Sequence, residues 1–357
     1  MTGAGGIERF AGTGAESTGA RRRLAQPRRR GVVSGAMTRH RPTAILAAVA
    51  CAASALALAG AASPAHAADA TVAADPAAEQ VTALDGTIVW VTAAPGGGQR
   101  LLQQRDGVTG PVPGAPVAGF YRSIDLGHDT AGRLVLTYRR CETLSRCVSR
   151  RDDLAGHRAS IRGLGVRGCS PTTAPALWRT RAAYGMACRR GNRADDRRSG
   201  VYVKTGSRAP RRMPRPADAA RFGVSEVDSV DLRGTRVAAI LSDIFSYAAV
   251  QDVDGRHISA FLAGASEGDS DEHARGLALG TGGALWSLTT AEHAGDPLQT
   301  VLNWLRGTCR EFEVLSAPPG AEAFPAIDLA VDGTTAYLVV PGTGILRHDL
   351  APQHPCP

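Results

Sequence analysis

The chain is poor in the residues that build catalytic and metal centres from short motifs. Beyond residue 67 it has one lysine, Lys204, no Cys-x-x-Cys pair and no two histidines at metal-ligand spacing. Its histidines there, at 128, 157, 257, 273, 293, 348 and 354, are scattered. That excludes a zinc-finger or zinc-ribbon reading and leaves no expected metal site of that kind. The phosphate-loop motif G-x-x-x-x-G-K-[S/T] is absent too, which removes that nucleotide-dependent class. Aromatics make up 5% of the chain, and 42 glycines and 21 prolines interrupt it too often for long helices. No basic strand is interleaved with aromatics, so nucleic acid is not an expected partner.

What is present begins with a leader. From Met37 a basic start (Arg39, His40, Arg41) precedes an Ala/Leu-rich run and then Ala65-His66-Ala67. This is the pattern of a secretory signal cleaved after a small residue. The apolar run is short, Ala-dominated and followed by Ser63-Pro64, which argues against a retained membrane span. Residues 1–36 read as a leader extension or a mis-assigned start, 37–67 as the signal peptide, 68–350 as the folded body and 351–357 as a tail. A secreted protein of the extracellular space or cell envelope is expected. Cys51 leaves with the leader, and six cysteines remain: Cys141, Cys147, Cys169, Cys188, Cys309 and Cys356. An even number in an exported chain points to disulfides. Sequence proximity favours Cys141–Cys147 and Cys169–Cys188, with Cys309–Cys356 then tying the tail to the body.

The body repeats. Six phrases align on tight turns: VTALDGTIVWV (81–91), SIDLGHDTAGRLVLTY (123–138), APALWRTRAAYGMAC (174–188), SVDLRGTRVAAIL (229–241), GLALGTGGALWSL (276–288) and AIDLAVDGTTAYLVV (326–340). The period is about 49 residues, and each phrase is followed by a third short strand. YAAVQDVDGRHISAFL adds a hairpin about Asp254-Gly255. Units of four short strands at this period predict an all-β fold, a six-bladed β-propeller of four-stranded antiparallel blades. The reason is packing: a lone sheet leaves two apolar faces wet, whereas radial stacking buries both. Trp90, Tyr138, Tyr184, Trp286 and Tyr337 all fall on the strand after the turn and are expected between blades. The last unit shows three strands, so the segment 69–74, DATVAA, is expected to supply its fourth and to remove an open edge.

These turn-plus-strand phrases resemble the six-bladed propellers of bacterial secreted proteins, broadly the TolB-like superfamily, over about residues 77–350. The Ser-Pro-Asp-Gly turn common in TolB propellers, the Trp-Asp dipeptide and the sialidase Asp-box do not occur. The resemblance therefore implies architecture and not activity.

Charge is unevenly divided. Residues 121–215 carry 22 basic and seven acidic groups, and residues 216–357 carry eight basic and 19 acidic groups. Arginine-rich stretches at 189–200 and 207–221 are punctuated by Gly and Pro and read as loops. Arg189, Arg190, Arg208, Arg211 and Arg212 are the candidate contacts for an acidic protein or an anionic envelope polymer. Asp125, Asp231 and Asp328 recur in SIDL, SVDL and AIDL. On innermost strands they can face a central channel, where a carboxylate ring binds Ca²⁺ or carries acid/base chemistry. Alternatively each accepts backbone N–H groups in its own turn. Gly-x-Ser-x-Gly at 264–268 places Ser266 before DSDEHARG, which lacks the helix a nucleophile elbow needs. The acidic stretch 267–273 lacks the spacing of a Ca²⁺ loop. The expectation is a monomeric, non-catalytic binding or scaffold module. The alternative is a secreted hydrolase or lyase acting on a sugar or lactone through channel carboxylates.

Overall fold

The computed structural model describes residues 70–350 apart from 118, 144–145, 192, 196, 218–225, 243–244, 268–269, 294–298 and 316–324. The expected leader, signal sequence and tail lie outside the described residues. Strand β1 (Ala70–Ala73) comes first in the chain. β2 (Ala78–Leu84), β3 (Thr87–Ala93), β4 (Gln99–Arg105) and β5 (Val108–Pro111) then form an antiparallel meander. β6 (Phe120–His128), β7 (Leu134–Cys141), β8 (Cys147–Asp152) and β9 (Arg158–Ser160) form the next. The third is less regular: β10 (Cys169–Pro171), β11 (Ala176–Trp178), β12 (Arg181–Arg190), β13 (Arg193–Ala194), β14 (Gly200–Thr205) and β15 (Arg211–Arg212). Pro171 and Pro175 explain the broken first strand, since proline gives no ladder N–H.

A fourth meander runs β16 (Glu226–Arg233), β17 (Arg236–Ser242), β18 (Phe245–Asp252) and β19 (Ser259–Glu267). A fifth runs β20 (Ser270–Leu279), β21 (Leu285–His293), β22 (Gln299–Arg306) and β23 (Cys309–Leu315). The chain ends in β24 (Asp328–Asp332), β25 (Thr335–Val340) and β26 (Gly344–Asp349). The hydrogen-bonded sheets number four among the described residues, with four, ten, eight and four strands. Two of them are large because neighbouring meanders touch. Trp178 pairs in parallel with His128, and the ends of β19 and β20 pair at Ser266–Asp271 and Glu267–Ser270. The result is a propeller-like, all-β arrangement of small antiparallel sheets.

The fourth strand of the final sheet is β1. It pairs antiparallel with β26 through Ala70–Arg347, Thr71–Leu346 and Ala73–Ile345, as the sequence suggested. Gly344 makes this approach possible, because a Cβ there would lie 2.1 Å from the Ala73 carbonyl oxygen. Asp75 then anchors the segment to β3, accepting hydrogen bonds from Trp90 Nε1 and Thr92 Oγ1, each 2.9 Å.

Apolar residues gather between consecutive meanders. Leu84, Val89 and Leu101 pack on Tyr121, Leu126 and Leu136. Val201 and Val203 pack on Val230 and Val237. Ile240 and Val250 meet Leu277 and Leu285. Trp286 and Trp304 meet Leu329 and Leu338. Val339 and Ile345 return to Val81 and Trp90, so the last sheet packs on the first. Trp90, Tyr138 and Trp286 are buried in these layers, Tyr184 is buried in a separate cluster with Leu164, Met186 and Tyr202, and Tyr337 is partly buried. Burial of about 25 cal/mol per Å² of apolar surface makes these contacts the main source of stability.

Two expected disulfides are present, Cys141–Cys147 and Cys169–Cys188. Each joins residues directly opposite in an antiparallel ladder. Cys309 is also disulfide-bonded. Cys356, its expected partner, lies outside the described residues. Among those residues no helix is long and apolar enough to cross a membrane.

Candidate functional site

The inner strands β2, β6, β16, β20 and β24 line a central cavity of about 200 Å³, and Asp125, Asp231 and Asp328 all reach it. Strand alternation places the carboxylate of each Ile/Val-Asp-Leu triplet on the axial side. Their hydrogen bonds are not to their own turns. Asp328 Oδ2, on β24, accepts the backbone N–H of Val81 on β2 at 2.9 Å. Asp231 Oδ2, on β16, accepts that of Leu279 on β20 at 2.6 Å. The amides of Leu177 on β11 and of Leu126 favour the charged form of Asp125, on β6, whose Oδ2 is buried with no hydrogen-bond partner. Asp328 and Asp231 therefore bridge to the inner strand of the next meander. Thr82 on β2 does the same for β6, its Oγ1 accepting the Leu126 N–H at 3.0 Å. Thr172 donates to the Val227 carbonyl at 2.8 Å and links the third meander to the fourth.

The carboxyls of Asp328 and Asp125 are perturbed. Burial pushes the Asp328 carboxyl up to about 7, opposed by the Val81 and Leu329 amides. Burial and then the Asp231 charge hold Asp125 well above the usual carboxylate range, with the Arg233 guanidinium opposing them. Arg233 was not anticipated. It extends from β16 across the axis, and Nη2 donates to the carbonyls of Ala83 on β2 (3.0 Å) and Val331 on β24 (2.7 Å). Its Nε lies 3.8 Å from Asp231 Oδ2. Period-two alternation from Asp231 was the signal that could have found it. Gly276, on β20, has no room for a side chain, because a Cβ there would sit 2.7 Å from Asp328 Oδ1. Among the described residues no three His, Cys, Asp or Glu side chains gather as a metal site.

A second set of cavity residues was also invisible in the sequence. The ladders of β2, β6, β16 and β20 each slip by one residue, at Glu79, Arg122, Asp228 and Arg275. All four are charged and line the cavity. A bulge re-aims the extra side chain, and here it turns two acids and two arginines toward the axis.

The predicted arginine contacts do not form one surface. Arg189 and Arg190 stand exposed at the end of β12, paired with Ala194 and Arg193. Arg208 follows β14, whose Thr205 pairs with Arg181 at the other end of the ten-residue β12. That separation is about 30 Å along the strand. Arg211 Nη2 donates to the Val253 carbonyl at 2.6 Å, and Arg212 Nε to the Ser199 carbonyl at 3.0 Å. These two guanidinia brace backbone rather than stand open. Ser266 lies on β19, which pairs directly with β20, so no elbow helix follows it.

No family model matches the chain, and no curated protein matches it. The propeller-like architecture stands, and no sequence comparison shows the TolB-like superfamily. Solved structures of similar shape include a puromycin-hydrolysing peptidase of Mycobacterium tuberculosis, at 15% identity and TM-score 0.45, matching 78% of this chain and 53% of that one. The chain thus spans about half of that peptidase. A virginiamycin B lyase from Staphylococcus aureus matches at 12% identity and TM-score 0.43, over 77% of this chain and 96% of that one. A fucose-recognising Aleuria aurantia lectin with a six-bladed β-propeller fold matches at 9% identity and TM-score 0.42, over 78% and 97%. Likenesses this remote assign no activity to the chain.

Proposed function

We propose that this protein is an exported six-bladed β-propeller that serves as a binding module in the cell envelope or extracellular space. Six meanders support the blade count, the sixth completed by β1. Apolar contacts run from each meander to the next and from the last back to the first. The signal pattern and the disulfides support export. One observation carries the non-catalytic reading: Asp231 and Asp328 hold amides of the neighbouring inner strands at 2.6 and 2.9 Å. Carboxylates spent in this way fix blade register and are poorly placed to move protons on a substrate. Arg233 further ties β16 to β2 and β24 through two carbonyls.

The test is a pull-down from envelope material alongside assays on a panel of polysaccharides and lactones. Wild type is expected to capture a partner and to turn over nothing. Asp231→Asn is expected to lower the melting temperature and leave capture intact. Turnover by wild type that Asp328→Asn abolishes in a folded protein overturns the reading in favour of a hydrolase or lyase.

A further inference from the structure

Away from the axis, blade two holds a cavity of about 390 Å³ lined by Tyr138, Arg140, Glu142, Arg146, Arg150 and Arg158 among others. Strand register gathers them. Tyr138 and Arg140 stand two apart on β7, and Tyr138 pairs with Arg150 on β8. On β9, Ser160 pairs with Arg150, and Arg158 pairs with Asp152. Alternation puts all of these on one face of the blade. The Cys141–Cys147 disulfide closes the hairpin between Arg140 and Arg146 and fixes the rim.

Two features point to a ligand. Four guanidinia and one carboxylate, Glu142, line the cavity, and the buried carboxylate of Asp152 lies beside Arg158 on the same face. Glu142 is itself exposed and lies 3.4 Å from the exposed Arg146, a pair solvent largely screens. Arg150 donates to the Ser160 hydroxyl. Crowded guanidinia repel one another unless an anion sits among them. The second feature is Tyr138, whose ring is fully buried. Its hydroxyl is buried and makes no hydrogen bond of ordinary geometry, although Arg158 faces it. Buried hydroxyls are ordinarily satisfied.

We infer that this cavity binds a phosphoryl group, carried by a small phosphate monoester or by a phosphodiester-linked polymer. Guanidinium forks match phosphate oxygens in pairs, and the Tyr138 hydroxyl donates to one more. The site gives the binding module a ligand class and rests on that reading only for its purpose.

Isothermal titration at low, matched ionic strength tests it with inorganic phosphate, glucose 6-phosphate, a glycerol-phosphate oligomer and acetate. Saturable binding of the phosphate probes is expected, with acetate at least tenfold weaker. Arg150→Ala with Arg158→Ala should weaken phosphate binding tenfold or more. Tyr138→Phe, which preserves packing, should weaken it about threefold. Arg256→Ala, on blade four, should leave it unchanged. The oligomer binding tightest assigns a polymer, and glucose 6-phosphate binding tightest assigns a small ester. The inference falls if no phosphate probe saturates, if acetate binds equally well, or if Arg256→Ala weakens binding as much as the cavity pair. Failure here with envelope capture intact removes the phosphoryl site and leaves the binding module standing.

Discussion

A carboxylate in an apolar strand must find donors or a proton, and Asp328 has a share of both. Its amide bond to Val81 favours the charged form, while burial favours the neutral one and prevails, raising the carboxyl to about 7. The sign of the pH effect follows. Between the ordinary carboxylate value and about 7 the folded chain holds a proton that the unfolded chain has released. This group's contribution to stability is therefore greatest at low pH, falls as pH rises through that window, and is level above it. The slope is at most about 1.4 kcal/mol per pH unit. Asp328→Asn keeps an acceptor for Val81 and carries no proton. Melting curves from pH 4 to pH 8 should show the variant gaining on wild type as pH rises, and parallel curves would contradict this. The recurrence of these aspartates was plain in the sequence. Their partners were not, because an amide 48 residues downstream of Asp231 becomes a neighbour only when sheets stack.

At the scale of elements, turn phrases marked the hairpins well. Asp85-Gly86, Asp254-Gly255 and Asp332-Gly333 each separate two strands or lie at the turn between them. The third meander was harder, since two prolines split its inner strand into β10 and β11. Bulges at Glu79, Arg122, Asp228 and Arg275 were illegible, because an extra residue is defined only against the strand opposite. The arginine stretches read as loops in fact contain strands β13 and β15, and Arg211 and Arg212 are engaged by neighbouring carbonyls. The two disulfides close loops of different length, with separations of 6 and 19 residues. Chain entropy predicts that Cys169→Ala with Cys188→Ala costs about 3 kcal/mol, and Cys141→Ala with Cys147→Ala about 2 kcal/mol. Denaturant titrations of the two double variants check the order, and equal or reversed losses would refute it.

For the whole molecule, closure is the governing feature. The first strand of the body completes the last sheet, and Pro76 accepts a hydrogen bond from Gly342 at 3.1 Å beside it. Deleting residues 68–76 should lower the melting temperature by about 5 °C or more, because it bares a sheet edge and part of an apolar layer. An unchanged melt would show that closure contributes nothing. Charge also has a spatial meaning at this scale: the cationic span 121–215 coincides with the ten-stranded sheet β6–β15, and the anionic remainder with β16–β26. The sequence by itself determined the all-β class, the repeat, the Cys141–Cys147 and Cys169–Cys188 pairings and the role of the N-terminal strand. These rest on local turn chemistry, alternation and cysteine spacing, all properties of short stretches. Only the tertiary structure decided what the axial aspartates hold, which charges the bulges turn inward, and that four arginines and a buried phenol share one cavity. Those contacts join residues whose meeting depends on strand register and sheet stacking, which no short stretch of sequence encodes.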